Sequence, residues 1–166
     1  MNNISRHFRQ DEYDSTVAKF LIELEGTPEA IRCFNLHKDS LTDYSYWFFL
    51  STCWVKYSDW SDLELWKSLF NAKRPLRREC IMKPDELKQF KKLPYKFAAY
   101  RAHRENETDW ISYTLSLSTA ERFAKERSGE IKCYLLTRSD CISLFTRREE
   151  SEIIMTKKER AKSCQP

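Results

Sequence analysis

Apolar residues in the first half of the chain recur at helical intervals. Val17, Phe20, Leu21 and Leu24 follow Asp14-Ser15 with a period near 3.6 and stop at Gly26. Thr27-Pro28-Glu29 reads as an N-cap with proline at the first helical position, opening a helix over Ala30 to Leu36. Asp43 leads into Trp47, Leu50, Trp54 and Tyr57, again one helical face. Ser61-x-x-Glu64 reads as a capping box ahead of Leu65, Trp66, Leu69 and Phe70. Lys83-Pro84-Asp85-Glu86 starts one more short helix, through Leu87 and Phe90. Tryptophans at this spacing are assigned to packing.

After Pro94 the period changes. Tyr95 to Arg101 and Trp110 to Ser116 read as extended runs of β-branched and aromatic residues. A second capping box, Ser118-x-x-Glu121, places Thr119 to Lys125 on a helix with Ala120, Phe123 and Ala124 inward. Gly129 turns the chain into Glu130 to Thr137, where Ile131, Cys133 and Leu135 alternate on one face. Ser143 to Phe145 and Glu150 to Met155 are expected strands. Helices followed by strands with one embedded helix predict an α+β protein, not a repeating βαβ one. The expected division is a helical segment over 1–92 and a β-rich core over 93–166.

Composition narrows the function classes. Only two glycines occur in 166 residues, Gly26 and Gly129. That count excludes the Gly-rich dinucleotide fingerprint and the P-loop, so a bound nucleotide would be held without a glycine cradle. The most apolar stretch, Tyr46 to Val55, is broken by Ser51 and Thr52 and is far short of the roughly 20 residues a membrane helix needs. Arg6, His7 and Arg9 meet Asp11 and Glu12 before any apolar run, unlike a signal peptide. The six cysteines form no CxxC pair and read as reduced core thiols of a cytoplasmic protein. Cys33-x3-His37 is half a zinc site with no second half, so no metal is expected. The net charge of +4 is too mild to announce nucleic-acid binding. The basic runs Lys73 to Arg78 and Thr156 to Lys162 are expected to be a solvated face and a frayed tail.

Three polar clusters interrupt strands that should be apolar. In Tyr100-Arg101-Ala102-His103-Arg104, burial of an arginine requires a partner for its fork, and a diphosphate suits it; an edge-strand arginine in solvent is the plain alternative. In Ser112-Tyr113-Thr114, two hydroxyls two apart share a strand face and can orient a carboxylate or a ribose. In Arg148-Glu149-Glu150-Ser151-Glu152-Ile153-Ile154-Met155, an extended backbone would set the Glu150 and Glu152 carboxylates side by side, which calls for a cation or a task. Its alternative is a solvated charge run.

Taken in order, these clusters resemble the R-S-E class of mono-ADP-ribosyltransferases, bacterial and phage-encoded members in particular. The resemblance covers Leu93 to Met155 and is carried by Tyr100-Arg101-Ala102-His103, Ser112-Tyr113-Thr114, Ala120-Glu121-Arg122-Phe123-Ala124 and Glu150-Ser151-Glu152. Ala102 stands where that pattern has glycine, and Tyr113 where it has tryptophan. The resemblance implies a split β-sandwich that clasps NAD as substrate. It also implies that Arg101 holds NAD phosphates or ribose and that Ser112 bonds the nicotinamide ribose and steadies the glutamate. Glu152 would be the catalytic final glutamate and Glu150 the residue facing the acceptor. Thr114, His103 and Tyr113 are further NAD-contact candidates, His103 toward the adenosine ribose and Tyr113 by stacking on nicotinamide.

The expected partners are therefore NAD and a macromolecular acceptor of a host or partner, a protein side chain such as arginine, and the expected location is the cytoplasm, the protein's own or a host's. Two rivals stand beside this reading. One is a non-catalytic phage or toxin-type interaction protein that uses the same fold to inhibit a host protein. The other is an RNA-directed enzyme of that fold, against which the Glu-x-Glu pair speaks.

Overall fold

A computed structural model of the chain describes residues 3–57 and 61–164. The chain forms two compact units, Met1–Leu87 and Lys88–Pro166, the division falling inside a helix. The helical unit carries α1 (Glu12–Glu23), α2 (Pro28–His37), α3 (Asp43–Lys56), α4 (Leu63–Phe70) and α5 (Arg77–Ile81). No helix among the described residues is long and apolar enough to cross a membrane.

Caps decide where these helices begin. Asp11, not Asp14-Ser15, caps α1 by accepting from the Asp14 amide at 2.9 Å. Asp14 is instead buried inside the helix and accepts from the amide and hydroxyl of Thr42, the residue that caps α3. Thr27 and Pro28 open α2 as expected. The Ser61 capping box does not form. Asp62 is the N-cap in a left-handed conformation, φ 59°, and the Ser61 hydroxyl pairs with the Tyr57 hydroxyl instead. The core of this unit is aromatic: Trp47, Phe34, Trp66 and Phe70 are fully buried, and Trp66 meets Trp54 edge-on with centroids 5.0 Å apart.

The first basic run is not simply a solvated face. Arg74 donates to the carbonyls of Lys38 and Leu41, pairs with Asp43 at 3.1 Å, and lies over the Tyr46 ring. Arg77 donates to the Phe70 carbonyl. These guanidinium groups satisfy carbonyls at loop and helix ends, which lone sequence charge cannot reveal.

The sheet unit follows α6 (Pro84–Lys92). It comprises β1 (Lys96–His103), β2 (Ser112–Thr114), α7 (Leu117–Arg127), β3 (Glu130–Thr137), β4 (Ser143–Phe145), β5 (Glu152–Ile154) and β6 (Lys162–Cys164). Together with the helical unit this is an α+β protein. The six strands form one sheet in the order β4-β5-β2-β1-β3-β6, and every neighbouring pair is antiparallel. β1 and β3 pair along their whole length, from Lys96 opposite Thr137 to His103 opposite Glu130. Part of the expected frayed tail is a short helical turn, Lys158–Arg160, and Lys162 begins the edge strand β6.

α7 packs against β1, β2 and β3. Its N-cap is Ser116, which accepts from the Thr119 amide at 3.2 Å, while Ser118 only bonds the Ser116 hydroxyl. The turn after α7 also differs from expectation. Ser128, at φ 50°, takes the left-handed position, and Gly129 serves a different need. A Cβ on Gly129 would stand 2.1 Å from the His103 carbonyl oxygen, so only glycine lets β3 begin against the end of β1.

Candidate functional site

β2 is the hinge of the site. It pairs with β5 at all three of its residues but with β1 only through Tyr100 opposite Thr114. Past that point the two strands part, and the Arg101 side chain fills the opening. Its Nη1 donates to both the carbonyl and the hydroxyl of Ser112, at 3.1 and 3.0 Å. Arg101 thus satisfies a strand carbonyl left without a ladder partner and fixes the Ser112 hydroxyl. Because Arg101 is the acceptor's donor there, the Ser112 O–H proton points away, available to a third group.

The remainder of the Arg101 fork is closed by Glu107. Nε donates to Oε2 at 3.1 Å and Nη2 to Oε1 at 2.6 Å, a bidentate ion pair with both side chains largely out of solvent. Glu107 also bonds His103 Nδ1 at 2.9 Å and pairs with Arg104 at 3.3 Å. Burial alone would raise the Glu107 carboxyl, but hydrogen bonds and positive charge from His103 and Arg101 outweigh it and hold it at about 2. The carboxylate is therefore ionised throughout the physiological range. It reaches this position because Asn106 turns the loop in a left-handed conformation, φ 58°.

His103 is 8% exposed, and both ring nitrogens are engaged, the second by the Tyr134 hydroxyl at 2.7 Å. Trp110 packs edge-on against the imidazole, centroids 4.4 Å apart. Tyr113 is 2% exposed and meets Tyr134 edge-on, and burial pushes its phenol well above the ordinary range. The structure thus places Tyr113 and His103 in an aromatic core beneath the arginine. Neither ring offers a free face for stacking.

On the other side of β2, Thr114 lies opposite Glu152 of β5. Residues directly opposite on antiparallel strands share a face, so this pair and Tyr100 look the same way. Arg101, one residue on, starts from the other face and meets this group only through Ser112. The expected extended run over Glu150 to Glu152 is not present. Glu149 and Ser151 both take left-handed conformations, φ 58° and 46°, and β5 begins only at Glu152. One side-chain and one backbone bond hold this kink: the Thr114 hydroxyl donates to the Glu150 carbonyl at 2.5 Å, and the Leu115 amide to the Ser151 carbonyl at 3.0 Å.

The two carboxylates nevertheless converge, through a cation. Arg148 Nη2 is 3.1 Å from Glu150 Oε2 and 3.9 Å from Glu152 Oε2, and Arg122 approaches Glu150 at 3.6 Å. Both glutamates are mostly buried, 14% and 13% exposed. Arg148 offsets the repulsion that two adjacent carboxylates would otherwise feel.

The sequence-predicted residues therefore gather around β2: Arg101 and Ser112 in contact, Thr114 paired with Glu152, Glu150 tied to Thr114 by its carbonyl. The sequence does not single out Glu107, and it places Arg148 at the head of the third cluster without a role. Glu107 stands in a polar loop beside Glu105 and Asp109, and sequence alone does not choose among them. Among the described residues no group of three or more His, Cys, Asp and Glu side chains gathers as a metal centre would require. Cys33-x3-His37 contributes none, the His37 ring bonding the Tyr13 hydroxyl. Comparisons of the chain with protein-family models, curated proteins and solved structures return no match.

Proposed function

We propose that the chain is an NAD-dependent mono-ADP-ribosyltransferase acting on a protein side chain, its single six-stranded sheet, parted between β1 and β2, being the counterpart of that class's split β-sandwich. The observation that supports this most is the convergence on β2. Arg101, Ser112 and Glu152 come from three strands that are neighbours in the sheet, and their order along the chain matches the R-S-E series.

In this reading nicotinamide leaves from ribose C1 as positive charge builds on the ring. Glu152 accepts a hydrogen bond from the ribose 2′-hydroxyl and stabilises that charge, which is worth most near the transition state. Ser112, its oxygen held by Arg101, donates its proton toward the ribose or toward Glu152. Glu150 accepts a proton from the incoming nucleophile, a guanidinium of the acceptor. Arg148 holds the two carboxylates until substrate arrives. Arg101 is committed to Ser112 and Glu107, so its part is to aim Ser112 rather than to grip a phosphate.

A second reading, a non-catalytic protein that binds and inhibits a partner, draws on one observation. Arg101, Glu107, Arg148, Glu150 and Glu152 each already have a counter-charge within the fold, as a purely structural network would. Nicotinamide release by purified protein separates the two. Glu152→Gln is expected to lower release by about 10²–10³-fold, the range seen when one transition-state contact is lost, while thermal stability is retained. Unchanged release from Glu152→Gln would remove the transferase reading. Labelled NAD in a cell lysate then reports the acceptor, and Glu150→Gln is expected to impair that transfer more than hydrolysis.

A further inference from the structure

Cys133 of β3 and Cys164 of β6 stand directly opposite one another in an antiparallel ladder. Opposite residues in such a ladder have Cα atoms about 4.5 or 5.5 Å apart, and both spacings fall inside the roughly 4.4–6.8 Å that a disulfide spans. Both cysteines are free thiols, Cys133 buried and Cys164 partly exposed, and their side chains are within hydrogen-bonding reach of each other. β6 is an edge strand of three residues whose ladder runs only to β3, so Cys164 sits where small-molecule reagents arrive first.

We propose that Cys133 and Cys164 form a reversible cross-strand disulfide site whose reaction partner is a small-molecule disulfide of the glutathione class. The Cys164 thiolate attacks one sulfur of oxidised glutathione, forming a mixed disulfide and releasing one glutathione thiolate. Cys133 then loses its proton to solvent and attacks the Cys164 sulfur, forming the intramolecular disulfide and releasing the second glutathione. Two electrons pass from the protein dithiol to the reagent, and two glutathione thiols appear for each protein disulfide. Burial, with Cys164 beside it, pushes the Cys133 thiol up to about 11, so the exposed member attacks first and the buried member resolves.

The bond would tie β6 to β3 and enclose residues 134–163, the segment that carries Glu150 and Glu152. It stands independently of the transferase reading. The two residues are already ladder partners, whereas the Cys141 thiol donates to the Thr137 carbonyl.

The test uses the full chain, reduced, then equilibrated with mixtures of reduced and oxidised glutathione, with free thiols capped before tryptic digestion. Cleavage after Lys132, Arg138 and Lys162 yields one peptide over 133–138 and another over 163–166. The expected result is these two joined by a disulfide in oxidising mixtures and separate in reducing ones, with a higher melting temperature for the oxidised form. Cys133→Ser should stop at a stable glutathione adduct on Cys164, and Cys164→Ser should give neither link nor melting shift. A parent chain that accumulates only glutathione adducts, or joins Cys133 to another cysteine as readily as to Cys164, overturns the proposal.

Discussion

Arg74 in the helical unit and Arg101 in the sheet unit are both partly buried arginines, yet they are held by different kinds of partner. Arg74 spends its Nη donors on the backbone carbonyls of Lys38 and Leu41, with Asp43 beside it. Arg101 donates one bond to a carbonyl and the rest to side chains, the Ser112 hydroxyl and the Glu107 carboxylate. Carbonyls at loop and helix ends cannot be withdrawn without unfolding something. A hydroxyl and a carboxylate can be mutated, titrated or displaced by a ligand. The first arrangement fastens a fold, and the second also equips a site.

The comparison is sharpest when the partner is removed along with the arginine. Arg101→Met leaves Glu107 buried beside His103 with its main counter-charge gone, and should cost about 3–5 kcal/mol in denaturant unfolding. Adding Glu107→Gln should recover more than half of that loss, because the orphaned charge goes too. A double variant as unstable as Arg101→Met would show that the guanidinium's packing, not the ion pair, matters. Arg74→Met should cost less, about 2–3 kcal/mol, for two carbonyls left without donors. Asp43→Asn should give no comparable rescue, since the carbonyls remain.

A pH titration probes the same pair more gently. The Glu107 carboxyl is depressed in the folded state, so the unfolded chain binds the proton more readily. Its contribution is fully present above the ordinary carboxylate range and is lost as pH falls from there toward about 2. Between pH 5 and pH 3 the parent should lose more stability than Glu107→Gln, by about 1 kcal/mol once partial solvent screening is allowed for. Equal slopes for both proteins would place the acid-sensitive group elsewhere. The smallest effect lies at the turn after α7, where Ser128→Gly should raise stability by up to about 1 kcal/mol by relieving a left-handed serine. That change touches neither arginine and serves as the control.

Local signals in the sequence predicted much of this architecture. The Thr27-Pro28 start of α2 and the bounds of β3 and β4 stand as read, because proline, glycine and period-two alternation act over a few residues. Caps were less legible. Ser116 and Ser118 both precede α7, and which of them meets an amide is settled by backbone path, not by residue type. β6 was hidden by its charged flank. At the site, motif order groups Arg101, Ser112 and Glu152, but the direct Arg101–Ser112 bond, the identity of Glu107 and the role of Arg148 are not readable from it. Their positions depend on left-handed residues at Asn106, Glu149 and Ser151, only the first of which is a residue type that favours that conformation.

The single ladder pair between β1 and β2 gives the sheet a seam. On one side lie β4, β5 and β2, and on the other β1, β3 and β6, with the Arg101 side chain as the principal stitch beyond Tyr100 and Thr114. α7 packs against β1 and β3 on one side of this seam and against β2 on the other. Where the backbone ladder stops, continuity of the sheet passes to a helix and a guanidinium, so side-chain chemistry carries there what main-chain bonds carry elsewhere.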